Sequence, residues 1–192
     1  MIDLLGRSKI RRKIILLFMY NQQKGFYLSE IARLAGTSAG TAQREINRLL
    51  AADLIVFNKS GKLGLYSLNK RYALLDEIES IVRKTFGVET ELKKALGKIR
   101  GIDFAFLFGS YIKGGLKSDS DIDLFVIGEV SEDLIYKAVQ KVERVIGREI
   151  NYHLATREEY AAKHKERHFY REILDGSDFL IGDGDEFRKI IK

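Results

Sequence analysis

Phe104-Ala105-Phe106-Leu107-Phe108-Gly109-Ser110-Tyr111-Ile112-Lys113-Gly114-Gly115-Leu116-Lys117-Ser118-Asp119-Ser120-Asp121-Ile122-Asp123-Leu124-Phe125-Val126-Ile127 decides the fold of the second half of this chain. An apolar run enters a glycine-serine turn, a polar segment follows, and a second apolar run leaves. The pattern predicts strand, glycine-rich turn, polar loop, strand. Asp121 and Asp123 stand one residue apart where the second strand opens. Alternation along a strand points both carboxylates the same way, roughly 6–7 Å apart at Cα. Backbone N–H groups of a glycine turn can approach phosphate closely. Paired carboxylates hold hard cations through oxygen. Together they predict a site for a magnesium-bound triphosphate.

This arrangement resembles the nucleotidyltransferase superfamily related to DNA polymerase β, and within it the minimal nucleotidyltransferases. The family pattern is Gly-Ser, about ten residues, then Asp-x-Asp. Here Gly109-Ser110 is followed by ten residues and then Asp121-Ile122-Asp123, with Lys113-Gly114 matching the basic residue and glycine common after the Gly-Ser. The resemblance covers residues 99–192. It implies that Asp121 and Asp123 hold metal, that Gly109 and Ser110 grip the outer phosphates, and that Lys113 or Lys117 neutralises charge. It also implies a third carboxylate on a later strand. The candidate strand is Arg148-Glu149-Ile150-Asn151-Tyr152-His153-Leu154, where Asn151 aligns with the family acid and Glu149 lies two residues earlier on the same face. An Asn cannot act as a general base. Two readings stay open: Glu149 stands in as third ligand or base, or the site lacks its third acid.

Charge is divided unevenly. Residues 1–72 carry 13 Lys+Arg against 4 Asp+Glu, a net of +9, and residues 73–192 carry 20 against 23, a net of −3. Such asymmetry predicts that the N-terminal part meets a polyanion.

The pattern there supplies a motif. Ile10, Ile14, Leu17 and Phe18 recur at helical spacing from Ser8 to about Gln22, with Gly25 as the stop. Ser29 is placed to cap a second helix over residues 30–35, and Ser38 a third, running to about Ala52. Leu54-Ile55-Val56-Phe57 reads as a strand, Asn58-Lys59-Ser60-Gly61-Lys62 as a turn, and residues 63–68 as the returning strand. "LSEIARLAGTSAGTAQREINRLLAAD", beginning at Leu28, resembles a winged helix-turn-helix domain. Ala42, Ile46, Leu49 and Leu50 form the inward face of the third helix. Gln43, Arg44 and Asn47 lie opposite and are residue types that read base edges. Arg48, Lys59 and Lys62 suit phosphates.

Between the two parts, Leu74, Leu75, Ile78, Ile81 and Val82 predict a helix over residues 73–86. Gly87 interrupts it, and residues 90–98 suit another. The apolar stripe suits packing in the second domain or pairing in a homodimer. Further on, Ser131 caps a helix to about Ile146, Thr156 and Glu159 form a capping box, and Phe179-Leu180-Ile181 is a short strand. Residues 169–174 suit a helical turn, and His164 and His168 share a helix face suited to a surface pair, or to phosphate contacts with Lys163, Lys165 and Arg167, rather than zinc.

The expected class is α+β: a winged helix-turn-helix DNA-binding domain over residues 1–72, connecting helices over 73–98, and a nucleotidyltransferase-like α/β domain with a mixed sheet over 99–192. The chain has 45% hydrophobic residues, enough for packed cores, and no Cys, which excludes disulfides and thiol chemistry. No apolar run approaches the roughly 20 residues of a membrane span, so a soluble, cytoplasmic protein is expected. The expected activity moves a nucleoside monophosphate from a triphosphate at a two-metal magnesium site to an acceptor, a partner protein or an RNA. The competing expectation is a transcription regulator whose second domain binds nucleotide or dimerises without chemistry.

Overall fold

A computed structural model describes residues 8–60, 63–114, 121–166 and 176–190. Two compact units divide the chain: Met1–Gly87 with Arg144–Gly147, and Val88–Glu143 with Arg148–Lys192. The secondary structure is α+β.

In the first unit, helix α1 (Lys9–Tyr20) starts at Ser8, whose hydroxyl accepts the Arg11 N–H. It stops at Asn21, four residues before Gly25, and Ile14 to Tyr20 are all buried rather than a single stripe. That run is apolar on every side, so no polar face remains for solvent. Helix α2 (Leu28–Ala35) begins two residues earlier than a cap at Ser29 predicts. Tyr27 is its cap, and the Glu30 carboxylate accepts the Tyr27 N–H at 2.8 Å. Gly36, at φ +66°, ends it in the left-handed region. Helix α3 (Ala39–Ala51) is capped by Ser38, which accepts the Thr41 N–H. Ala42, Ile46 and Leu49 are wholly buried; Leu50 is only half-buried.

Strands β1 (Ile55–Ser60) and β2 (Leu63–Leu68) form an antiparallel ribbon. Asn58, Lys59 and Ser60 belong to the ladder, opposite Leu65, Gly64 and Leu63, not to a turn. The Phe57 ring explains why the ribbon continues. It lies over Gly64, where an added Cβ would come within 2.1 Å of the ring, and packs against Tyr66 at 5.0 Å. Phe26 adds a backbone bridge to Tyr66, with both N–H···O distances 2.9 Å. Helix α4 (Leu75–Phe86) completes the unit through Leu75, Ile78, Val82 and Phe86.

The second unit opens with α5 (Val88–Leu96), which buries Val88, Leu92 and Leu96. Its mixed sheet contains β3 (Ile102–Phe108), β4 (Ile122–Gly128), β5 (Ile150–Ala155) and β6 (Asp178–Ile181), in the spatial order β5-β4-β3-β6. β3 pairs antiparallel with β4 and β6, while β5 runs parallel to β4 after the crossover helix α7 (Glu132–Ile146). Helix α8 (Arg157–Glu166) begins with the expected capping box: Glu159 N–H donates to the Thr156 hydroxyl at 3.2 Å, and Thr156 N–H to the Glu159 carboxylate at 3.0 Å. Helix α9 (Gly184–Ile190) closes the chain. One sheet face carries an aromatic core of Phe104, Phe106, Phe108 and Phe125 with Tyr160 and Phe187 from α8 and α9. Residues 169–174 and His168 lie outside the described residues, as does the His164 side chain. Among the described residues no helix is long and apolar enough to cross a membrane.

The first unit contains a nearly buried ion pair. Arg11 Nε donates to Glu45 Oε2 at 2.7 Å, and each side chain is 10% exposed. The Ser8 hydroxyl donates to the other Glu45 oxygen at 3.0 Å. Burial pushes the Glu45 carboxyl up, but the bonds from Arg11 and Ser8 and the Arg11 charge outweigh it and hold the pKa below its ordinary value. A depressed folded-state pKa gives stability that is present above the ordinary carboxylate range and lost as pH falls through the folded value. Glu45→Ala is expected to cost about 2–4 kcal/mol in urea unfolding at pH 7, because Arg11 keeps a desolvated charge. The penalty shrinks in the Arg11→Ala background; equal penalties in both backgrounds would show that the pair is uncoupled.

Candidate functional site

At the end of β3 the backbone turns through Gly109 at φ +80°. A Cβ there would lie 2.5 Å from Asp123 Oδ2. Both the left-handed backbone and this close approach demand glycine. Phe108 is the β3 partner of Asp123, so the turn and the second carboxylate are held side by side by strand register. After Gly109 the chain forms helix α6 (Ser110–Gly114) where an extended polar loop was expected. Apolar Tyr111 explains the difference: it is fully buried, and its hydroxyl donates to Glu89 Oε1 in α5 at 2.8 Å. Lys113 is exposed in the last turn of α6. Lys117 lies outside the described residues.

Asp121 is exposed just before β4, and Asp123 is half-buried within it. In the parallel β4–β5 ladder Asp123 stands opposite Asn151 and Phe125 opposite His153. The Asn151 amide donates to Asp121 Oδ2 at 3.3 Å and also bonds the Asp123 carboxyl. An amide therefore bridges two acids at the point where the resemblance implied a third. Glu149 precedes β5; its carbonyl accepts the Ile122 N–H at 3.3 Å. Its side chain lines a cavity of about 640 Å³ shared with Asp123, Glu143, Asn151 and His153.

Two residues were missed in the sequence. His153 follows Asn151 by two, so alternation places it on the same face. Its ring stacks on Phe125 at 5.7 Å with 20° between planes. Glu143, from α7, accepts the Ile150 N–H at 2.8 Å at the start of β5. Nothing local signals that role, since it depends on how α7 packs.

Burial is the largest influence on Asp123 and raises its pKa; the His153 charge opposes, the Asp121 charge adds, and the Asn151 hydrogen bond opposes. The donor chemistry fits a divalent cation. Hard carboxylate oxygens meet at a glycine turn, and charge repulsion between them would be relieved by a cation. Among the described residues no group of three or more His, Cys, Asp or Glu converges as a metal-ligand set. Magnesium commonly takes one or two carboxylates and completes its shell with water and phosphate oxygens, so the pair suits one such ion.

The helix α3 surface of the first unit is arranged differently. Gln43 Nε2 donates to Asn47 Oδ1 at 2.8 Å and reaches the Tyr66 hydroxyl at 3.5 Å. Arg44 donates to the Thr41 hydroxyl at 3.2 Å and is exposed, like Asn47 and Lys59. Arg48 is paired with Glu45 at 3.1 Å while its side chain remains 60% exposed. Lys62 lies outside the described residues.

The raised Asp123 pKa has a stability consequence. The ionised form costs folding free energy at neutral pH. That cost disappears below the ordinary carboxylate pKa, where folded and unfolded chains are both protonated. Asp123→Asn is expected to raise the Tm at pH 7. The gain shrinks as pH falls toward about 4. Thermal melts of both proteins across this range check it; a lower Tm for the variant at pH 7 would contradict it.

Solved structures similar to this chain include a variant of the toxin-antitoxin pair MntA-HpeT, at 16% identity and TM-score 0.39, covering 54% of this chain and 80% of that one. A toxin-antitoxin with AMP-PNP is 18% identical with TM-score 0.39, covering 54% and 80%. The tri-AMPylated Shewanella oneidensis HEPN toxin in complex with MNT antitoxin is 16% identical with TM-score 0.37, covering 54% and 77%. No curated protein sequence matches the chain. Residues 90–177, which include Gly109, Asp121, Asp123 and Asn151, match the family described as polymerase beta, nucleotidyltransferase.

Proposed function

We propose that the chain is a DNA-binding nucleotidyltransferase. Residues 99–192 transfer a nucleoside monophosphate from a triphosphate to an acceptor, a partner protein or an RNA. Residues 1–72 act as a winged helix-turn-helix that binds duplex DNA, and residues 73–98 connect the two. The observation that carries the transferase reading is the approach of Gly109 to Asp123, with Asp121 beside it, inside the segment that matches the nucleotidyltransferase family. Asp121 and Asp123 would hold magnesium. When bound, the ion would screen the phosphate charge and orient the group under attack. Gly109 and Ser110 present the turn to the outer phosphates, Lys113 or Lys117 supplies positive charge, and Glu149 would serve as third ligand or take the acceptor proton.

A second reading has its own support. The Asn151 amide stands opposite Asp123 and donates to Asp121, and an amide cannot take a proton from an acceptor. On this reading the second unit binds nucleotide, or dimerises, and regulates transcription without chemistry. Label transfer from a triphosphate to candidate proteins or RNA separates the two. Transfer by the wild type that is lost in Glu149→Gln supports catalysis through Glu149. Transfer appearing only in Asn151→Asp would show that the natural chain is a binding module.

The DNA reading rests on the net +9 of residues 1–72 and on the exposed Arg44 and Asn47. Binding to duplex DNA is expected to weaken steeply as salt rises, through counterion release. Arg44→Ala is expected to cost about 1–3 kcal/mol at a specific site. Absence of any gel shift at low salt would remove DNA from the proposal.

A further inference from the structure

The Gly109-Ser110 turn leads into helix α6, of which five residues are described. Helices in proteins draw most of their stability from tertiary packing, so the contacts around Ser110 decide how the turn is held. One side is held by Gly109, whose missing Cβ lets the backbone press against Asp123 Oδ2.

The other side is held from a distance. Tyr111 immediately follows Ser110, has no exposed surface, and donates its hydroxyl to Glu89 Oε1 at 2.8 Å, across 22 residues of sequence. Glu89 is the second residue of α5, between Val88 and Leu92, which are both fully buried. α5 is thus anchored in the core and offers a fixed acceptor oxygen. A hydrogen bond to it is directional. It fixes the rotation of α6 about its own axis, which apolar packing of a ring alone does not.

We propose that Tyr111 and Glu89 form a positioning pair that sets the Gly109-Ser110 turn for the triphosphate. The pair touches neither metal nor substrate. It acts through the turn, so its loss weakens the grip on phosphate while leaving cation binding at Asp121 and Asp123 intact. This inference rests on the nucleotide-binding reading above.

The test uses the full-length chain and calorimetry with two probes, magnesium alone and the tightest-binding of ATP, GTP, CTP and UTP with magnesium. Tyr111→Phe keeps the ring and removes only the hydroxyl; Glu89→Ala removes the acceptor; Glu89→Gln keeps an acceptor oxygen. Tyr111→Phe and Glu89→Ala are expected to weaken magnesium-triphosphate binding about tenfold. Magnesium alone binds as in the wild type, and Glu89→Gln recovers most of the triphosphate affinity. A purely structural role would lower the Tm and leave the affinity of the folded protein unchanged, which overturns the proposal. Equal loss of both probes overturns it as well, because the defect would then include the carboxylates. If the wild type binds no triphosphate, the nucleotide-binding reading itself falls and the positioning role falls with it.

Discussion

One missing carbon atom organises the second unit. A side chain at position 109 would put Cβ within 2.5 Å of the Asp123 carboxylate. Because Phe108 and Asp123 are ladder partners, the close approach is built into the β3–β4 register. A one-residue slip would move Asp123 to the opposite face. The aromatic core resists such a slip. Phe106 stacks on Phe125 at 5.6 Å, and Phe106 and Phe104 both pack on Phe187. The core thereby fixes the turn, and the turn fixes the carboxylates.

The same core makes the site costly in the absence of a ligand. Asp123 sits at the end of the aromatic face, half-buried, with the Asp121 charge beside it. Low polarity beneath the pair strengthens their repulsion. The Asn151 amide offsets part of it with hydrogen bonds, something a third carboxylate could not do in ionised form. An acid at the same position would instead add a third charge to the repulsion.

Much of this was legible in the residues. Capping at Ser38 and Thr156–Glu159 follows from short polar side chains ahead of apolar periodicity, and both strands flanking the Gly-Ser turn follow from uninterrupted apolar runs. What escaped was set by tertiary contact. Tyr27 caps α2 in place of Ser29 because Glu30 returns to its N–H. The ribbon extends through Ser60 because the Phe57 ring covers Gly64. Helix α6 forms because Tyr111 finds Glu89. In the site, the alignment of Asn151 with the third acid that the resemblance implied was readable from apolar positions, whereas its place opposite Asp123 and its bond to Asp121 needed the parallel register.

That parallel register also sets an order in time. β3 and β4 are neighbours in sequence and can pair as soon as the intervening turn closes. β5 reaches β4 only after α7 has crossed over, and among the described residues it lies at the sheet edge with one neighbour. Loop-closure entropy delays such non-local pairing, and edge strands open at lower free energy than central ones. The two carboxylates are thus assembled early and stay together, while Asn151 arrives late and leaves first. Brief excursions of the native protein would peel β5 away and expose an acid pair without its amide.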